Sequence, residues 1–452
     1  MKLNPIYTLL LGSLLLPLSS QIWAVSDSEA QQLKSSLTPL GGERAGNSDG
    51  SIPAWSQGFT QVPAGVKPGP RIPDYFASDK VLYSVTSQNL SQYADKLSDG
   101  QKALFAKYPN YRIDVYPTRR TAAAPQWVYD NTLKNATSAH LTNQNNTLEG
   151  ASGGIPFPIP KSGAEVVWNH QLSWRGEAWK NDFNVYIITA NGQRILSSTI
   201  QSQREMPYYF QSVKSEYKGV YWMTKLVNLG PPLRAGEALL GREPLDYANG
   251  GPQSWVYLTG QRRVRKLPVS SYDTPTPTSS GVANFDEVSV FTGPLDRYDW
   301  TIVGRQEMLI PYNSNKILQP SKDDEILSDR FLNPDHMRWE LHRVWVVEGN
   351  LVAGKRHSMP KRRLYVDEDT WMAMLGDSWD ANQKLWRTYL QLPYATPELP
   401  GLVRGMFAQY DLQTGAWMAN NVVTEKRVQN EIVKPFPDSD FSPDGLAADG
   451  VR

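Results

Sequence analysis

Hydrophobic positions follow two different patterns along this chain. Before Asp182 they recur at helical spacing or lie scattered among Pro and Gly; beyond it they form β-rich runs. The first apolar feature is the run Ile6–Leu18, preceded by Lys2, broken at Pro17 and followed by small and polar residues. This is the plan of a secretory signal peptide. The run is too short for a spanning helix, which needs ~20 residues. Residues 1–24 are read as that segment, with cleavage after Ala24 or Ser26. Ser26 with Glu29 predicts a capped short helix over Ser26–Leu37. A Pro/Gly-rich stretch to Pro73 reads as an extended arm or a flexible linker. Leu90, Tyr93, Ala94 and Leu97 predict a helix over Ser87–Leu97. Ser98 with Gln101 caps a second helix ending before Pro109, and a third starts at Pro125. Residues 25–150 are thus an arm with helices that pack on the body.

Ser162 with Glu165 predicts a helix over Gly163–Trp174. Asp182–Gln203 holds two β-rich runs joined by Asn191-Gly192, a strong hairpin signal. Ser254–Pro268 reads as a hairpin turning at Thr259-Gly260-Gln261. From Arg297 onward strands follow one another, with turns at Gly349-Asn350, Asp367-Glu368-Asp369 and Asp380-Ala381-Asn382. No helical pattern intervenes, which argues for one antiparallel sheet. Residues 151–433 form this β domain, and the Pro/Asp/Gly-rich tail 434–452 is expected to be loose.

The strands are apolar on both faces. In Arg338–Gly349, Trp339, Leu341, Trp345 and Val347 share one face with Arg343, while Val344 and Val346 lie on the other. Such strands need cover on both sides. A curved sheet wrapped round a helix supplies it and leaves a groove where the helix packs incompletely. Trp222, Trp255, Tyr257, Trp300, Trp339, Trp345, Trp371 and Met374 are candidates to line that groove against an apolar guest. For any one of them plain core is the simpler reading. Arg262, Arg263, Arg265 and Lys266 are candidates for contact with an acidic head group or partner. A solvated edge strand protected by charge is the simpler reading.

Composition narrows the chemistry. Among 452 residues there is no Cys, which removes disulfides, thiolate metal sites, thiol nucleophiles and a lipidated anchor. Forty-six basic residues balance 45 acidic ones, so no general attraction to nucleic acid is expected. Gly150-Ala151-Ser152-Gly153-Gly154 matches the serine-hydrolase pattern but lacks the strand before and helix after that make the elbow. His336, His342 and His357 are potential ligands crowded by Arg338, Arg343, Arg356, Lys361 and Arg362. Structural histidines are the simpler reading, and no metal is expected. Carboxylates such as Asp367 and Asp369 sit at predicted turns, where Asp has a local backbone role. No phosphate-binding glycine motif occurs, so no cofactor and no catalytic residue is assigned.

Several long runs resemble an exported bacterial family known as domain-of-unknown-function family 1329. They include Leu37–Trp55 (LTPLGGERAGNSDGSIPAW), Tyr116–Thr132, Gly153–His170 (GGIPFPIPKSGAEVVWNH), Gly260–Pro268, Gly293–Trp300 and Leu332–Gly349. The resemblance implies a LolA/LolB-like fold: a large, incompletely closed antiparallel β-barrel with helices covering or plugging its concave face. It also implies carriage of a lipid, an acyl chain or a lipoprotein, without catalytic residues to transfer. LolB-type members are lipid-anchored, which a chain without Cys cannot be. The expected protein is therefore an unanchored carrier in the periplasm of a Gram-negative bacterium, monomeric and without a transmembrane segment once processed. Its expected role is in cell-envelope and outer-membrane transport. Two alternatives stay open: an envelope hydrolase or carbohydrate-active enzyme, and an adaptor for an outer-membrane or resistance-nodulation-type transporter.

Overall fold

A single 16-stranded sheet organises the molecule. The computed structural model describes residues 24–66, 71–211, 219–268, 271–279, 282–426 and 428–450. The predicted signal segment lies outside the described residues except for Ala24. Two short strands come from the N-terminal part, β1 (Tyr83–Val85) and β2 (Ile113–Val115). Then follow β3 (Ala178–Ile188), β4 (Arg194–Glu205), β5 (Val220–Gly230), β6 (Ala238–Pro244), β7 (Gln253–Leu258) and β8 (Arg263–Lys266). The last group is β9 (Tyr298–Pro311), β10 (Trp339–Leu351), β11 (Lys361–Asp367), β12 (Ala373–Trp379), β13 (Leu385–Gln391), β14 (Phe407–Asp411), β15 (Trp417–Val422) and β16 (Glu431–Ile432).

The strands form a long antiparallel meander. It runs β9-β10-β11-β12-β13-β14-β15, crosses to β3, and continues β4-β5-β6-β7-β8. One parallel bridge, Val115 to Trp339, attaches β2 to β10. Among the described residues neither β8 nor β9 has a second strand partner, so the sheet curls without closing. This is the incomplete barrel expected from the sequence. The hairpin signals hold as well: β3 and β4 meet across Asn191-Gly192, and β7 and β8 across Thr259–Arg262.

The sheet curls round the helix Gly163–Gln171, all of whose side chains are buried. Its first residue has no room for a side chain: a Cβ on Gly163 would lie 2.6 Å from the Thr301 backbone nitrogen on β9. At mid-helix Trp168 meets Tyr221 of β5 with ring centroids 6.3 Å apart. Near its end His170 Nδ1 accepts the Ala373 N–H of β12 at 2.9 Å. One helix thus touches strands from both halves of the meander. The opposite face of β10–β14 is covered by N-terminal elements. The helix Asp99–Lys107, capped by Ser98 and Gln101 as expected, buries Leu104 and Phe105 in a core that also holds Val344, Val346 and Leu390. Burial of each such side chain is worth roughly 1.5–3 kcal/mol. Strand β10 is therefore buried on both faces, as its apolar alternation requires.

Two local expectations differ from the structure. The segment Ser87–Leu97 forms two 3-10 turns, Leu90–Gln92 and Ala94–Lys96, instead of one helix. Asn89 accepts the Thr86 N–H and donates to the Ser84 carbonyl, which fixes a turn where a helix would begin. The C-terminal tail is not loose. It forms a 3-10 turn, Asp438–Phe441, and a helix, Pro443–Gly450. Phe441 and Leu446 are fully buried against Met223, Leu240 and Tyr257, and this apolar contact outweighs the local turn composition. Among the described residues no helix is long and apolar enough to cross a membrane.

Candidate functional site

The register of β3–β6 places one set of side chains on the face beside the central helix. Trp179 is opposite Arg204, and Phe183 opposite Ile200. Trp222 is opposite Glu243, and Leu226 opposite Leu239. The segment 282–292 and Thr276 complete the lining, with Arg175 and Arg404. Together they bound a cavity of about 150 Å³. A dry, apolar-lined space of that size takes up a benzene-sized guest. A larger hollow of about 1020 Å³ lies between Lys180, Asp182, Gln203 and Lys225 of the other face and Asp440 near the C-terminal helix. Its charged walls suit water better than an apolar guest. The smaller cavity, with its aromatic and aliphatic lining, is the candidate site.

Its polar groups are unusual. Arg175 follows the central helix and donates to the Gln171 carbonyl at 3.3 Å, with its guanidinium 5.7 Å from the Trp222 ring centre. Arg204 on β4 donates to Asn181 Oδ1 at 2.9 Å and lies 5.3 Å from the Phe183 ring centre. Arg404, before β14, donates through Nη2 to Ser173 Oγ at 3.1 Å and to the His170 ring and carbonyl. Its Nε is buried without a partner. Among the described residues, no carboxylate forms an ion pair with any of the three. Burial pushes the Arg175 and Arg204 guanidiniums down to about 10. Burial, reinforced by Arg175, lowers Arg404 well below its ordinary value.

His170 supplies no compensating charge. Its Nδ1 accepts from the Ala373 N–H, so Nε2 carries the proton toward the carbonyls of Ser289 and Phe291, 3.1 and 3.0 Å away. Burial, with Arg404 and Arg175 nearby, holds the ring well below the usual imidazole range. Glu243 is the acidic residue of the lining. Burial raises it to about 8, and it accepts from the Tyr247 hydroxyl at 2.9 Å.

The sequence candidates are distributed over the whole molecule. Trp222 lines the cavity. Trp255 and Tyr257 sit on the other face of β7, with the cluster under the C-terminal helix. Trp300 packs between Phe291 and Tyr298, and Trp339 and Met374 are buried core. Trp345 stacks on Trp371 at 6.2 Å, and the indole N–H of Trp371 donates to the Leu40 carbonyl of the arm at 2.6 Å. Arg262, Arg263, Arg265 and Lys266 lie exposed at the turn and along the edge strand β8, which pairs with β7.

The other candidate chemistry resolves into structural pairs. The three C-terminal histidines do not converge: His357 bonds Asp286 at 2.8 Å, and His342 bonds Glu340 at 3.0 Å. His342, Asp367 and Asp369 bring ligand atoms within 4.8 Å of one another, but Arg120 occupies both oxygens of Asp369. Burial and Asp369 push Asp367 up to about 6 and Glu368 to about 7. Ser152 donates its N–H to Asn135 Oδ1 within a loop, far from an elbow geometry.

Arg175, Arg204 and Arg404 escaped the sequence reading. Arg204 carries a usable signal, since Ile200, Ser202 and Arg204 alternate inward on β4. Arg175 and Arg404 lie in irregular segments where periodicity says nothing.

Comparison with known proteins agrees with the resemblance seen in the sequence. The family model described as "Protein of unknown function (DUF1329)" matches residues 84–447. The uncharacterized protein PA3922 of Pseudomonas aeruginosa is 36% identical, covering 96% of each chain. A DUF1329 family protein from Desulfovibrio piger is similar in structure, with 13% identity, a TM-score of 0.43, and coverage of 63% of this chain and 97% of that one. A putative outer membrane lipoprotein-sorting protein domain from Vibrio parahaemolyticus gives 15% identity, a TM-score of 0.42, and coverage of 64% and 98%. The LolA superfamily protein NE2245 from Nitrosomonas europaea gives 10%, 0.35, and coverage of 63% and 98%. With a family model over most of its length and a relative matched nearly end to end, the chain belongs to the DUF1329 family.

Proposed function

We propose that this protein is a periplasmic carrier that holds the apolar part of a lipid, acyl chain or similar amphiphile between its curled sheet and the segment covering it. The observation that carries the reading is the cavity beside the central helix, lined by Trp179, Phe183, Ile200, Trp222, Leu226 and Leu239. An open sheet suits such a task. Its paired strands present mainly side chains to the guest. Delivery to the periplasm follows from the signal-peptide pattern of residues 1–24.

The carrier reading requires no bond to be broken in the guest. The hydrolase alternative needs two carboxylates facing each other across a cleft. Glu243 is the acidic group at this cavity, whereas Glu368 and Asp369 are engaged by Arg305 and Arg120. Native mass spectrometry of gently purified mature protein, followed by extraction of the bound material, tests the proposal. A co-purifying amphiphile, or saturable uptake of an alkyl probe, is the expected result. Absence of both overturns it.

A further inference from the structure

Three guanidiniums around one cavity, Arg175 buried and Arg204 and Arg404 partly buried, without a carboxylate on any of them, are costly to maintain. A buried cation needs a partner to offset its lost hydration. Here the available acceptors are neutral: the Gln171 carbonyl, Ser173 Oγ, Asn181 Oδ1 and the His170 ring. His170, whose Nδ1 accepts the Ala373 N–H, is neutral and brings no negative charge. Glu243 is held by Tyr247 instead of by an arginine. The arginines also feel one another: Arg175 lowers both Arg204 and Arg404 through its charge. Positive charge is thus concentrated beside the aromatic and aliphatic side chains of the lining. Nothing in apolar packing requires that arrangement. A guanidinium cluster of this kind matches the oxygens of a carboxylate or phosphate, which it binds through paired N–H groups.

We propose that Arg175, Arg204 and Arg404 form the head-group site for an anionic amphiphile, taking its carboxylate or phosphate while its alkyl part lies against Trp222, Phe183 and Leu226. The proposal rests on the carrier reading and narrows it to acidic guests. The oxyanion supplies the counter-charge that the protein lacks, and Arg404 Nε gains an acceptor. Trp222 lines the cavity with Arg175 over its ring. Its fluorescence is therefore placed to report occupancy.

Calorimetry and Trp quenching on the mature chain with decanoate, decyl phosphate and methyl decanoate test this at neutral pH. Both anions are expected to bind roughly tenfold or more tighter than the ester. A preference between the two assigns the head group as carboxylate or phosphate. Arg404→Met and Arg204→Met should each lower anion affinity toward that of the ester. Equal binding of anions and ester overturns the head-group site while sustaining the carrier reading. Failure of all three probes to bind overturns both. The wild-type comparison stands without any variant, so a poorly folding substitution does not shield the proposal.

Discussion

Arg120 holds Asp369 with two parallel hydrogen bonds, Nε to Oδ2 and Nη2 to Oδ1, both 2.7 Å long. Both side chains are almost fully buried. The same guanidinium donates to the backbone carbonyls of Glu43 and Pro53. One side chain therefore fastens the N-terminal arm to the turn between β11 and β12. Arg120→Met leaves Asp369 buried without its partner, and stability should fall by about 3–5 kcal/mol. Urea denaturation measures the loss. Limited proteolysis should show new cutting between residues 40 and 60.

Glu243 gives a pH signature. Its folded value of about 8 lies above the ordinary 4.5, so between those values the folded protein holds a proton that the unfolded chain releases. Raising the pH across that window then favours unfolding. Stability should fall from pH 5 to pH 8 by on the order of 3–4 kcal/mol from this group. Glu243→Gln should flatten the decline, as read from Tm against pH for the two proteins.

Gly163 decides how closely the central helix meets β9. Alanine favours a helix interior by about 1 kcal/mol over glycine. Here its Cβ would lie 2.6 Å from backbone atoms of Trp300 and Thr301, and backbone cannot yield as a flexible side chain does. Overpacking of this kind costs about 1–3 kcal/mol. Gly163→Ala should therefore lower Tm, where helix propensity alone predicts a rise.

The turns and caps were legible because each is decided within a few residues. Asn191-Gly192 reverses the chain by itself, and Ser98 and Gln101 satisfy each other's backbone N–H groups. The curl of the sheet was legible in Trp339–Val347, whose alternation demanded cover on both sides. The site was hidden for the opposite reason. Arg175 and Arg404 meet around His170 only because the meander brings β14 back beside β3 through β15. Searching for bulk also led to Trp339 and Trp371, which are large because the core there is deep. Arg204 was legible in principle, as a charge in an inward position of an otherwise half-apolar strand.

Thr224 faces the cavity from the middle of β5, between Trp222 and Leu226. Thr224→Phe should fill the space and weaken uptake of an alkyl probe by about tenfold. Far-UV circular dichroism should remain that of the parent. Unchanged uptake would mean that the guest lies elsewhere, the larger hollow near Asp440 being the next place to block.

Phe441 anchors the C-terminal helix with no exposed surface of its own. Phe441→Ala should cost about 3–5 kcal/mol, as for other buried aromatics. Chemical denaturation of this variant separates a docked tail from an ornamental one.

Among the described residues no strand pairing joins β8 to β9, and this has a mechanical consequence. In a closed barrel the girth is fixed by the ring of backbone hydrogen bonds, and a wider guest must break some of them. Here the girth is set by what fills the hollow: the central helix, the covering segment and the side chains between them. The wall can widen along its seam at the expense of side-chain contacts alone. On the carrier proposal, a cavity of benzene size at rest can in that way accept guests of graded length without changing a single strand pairing.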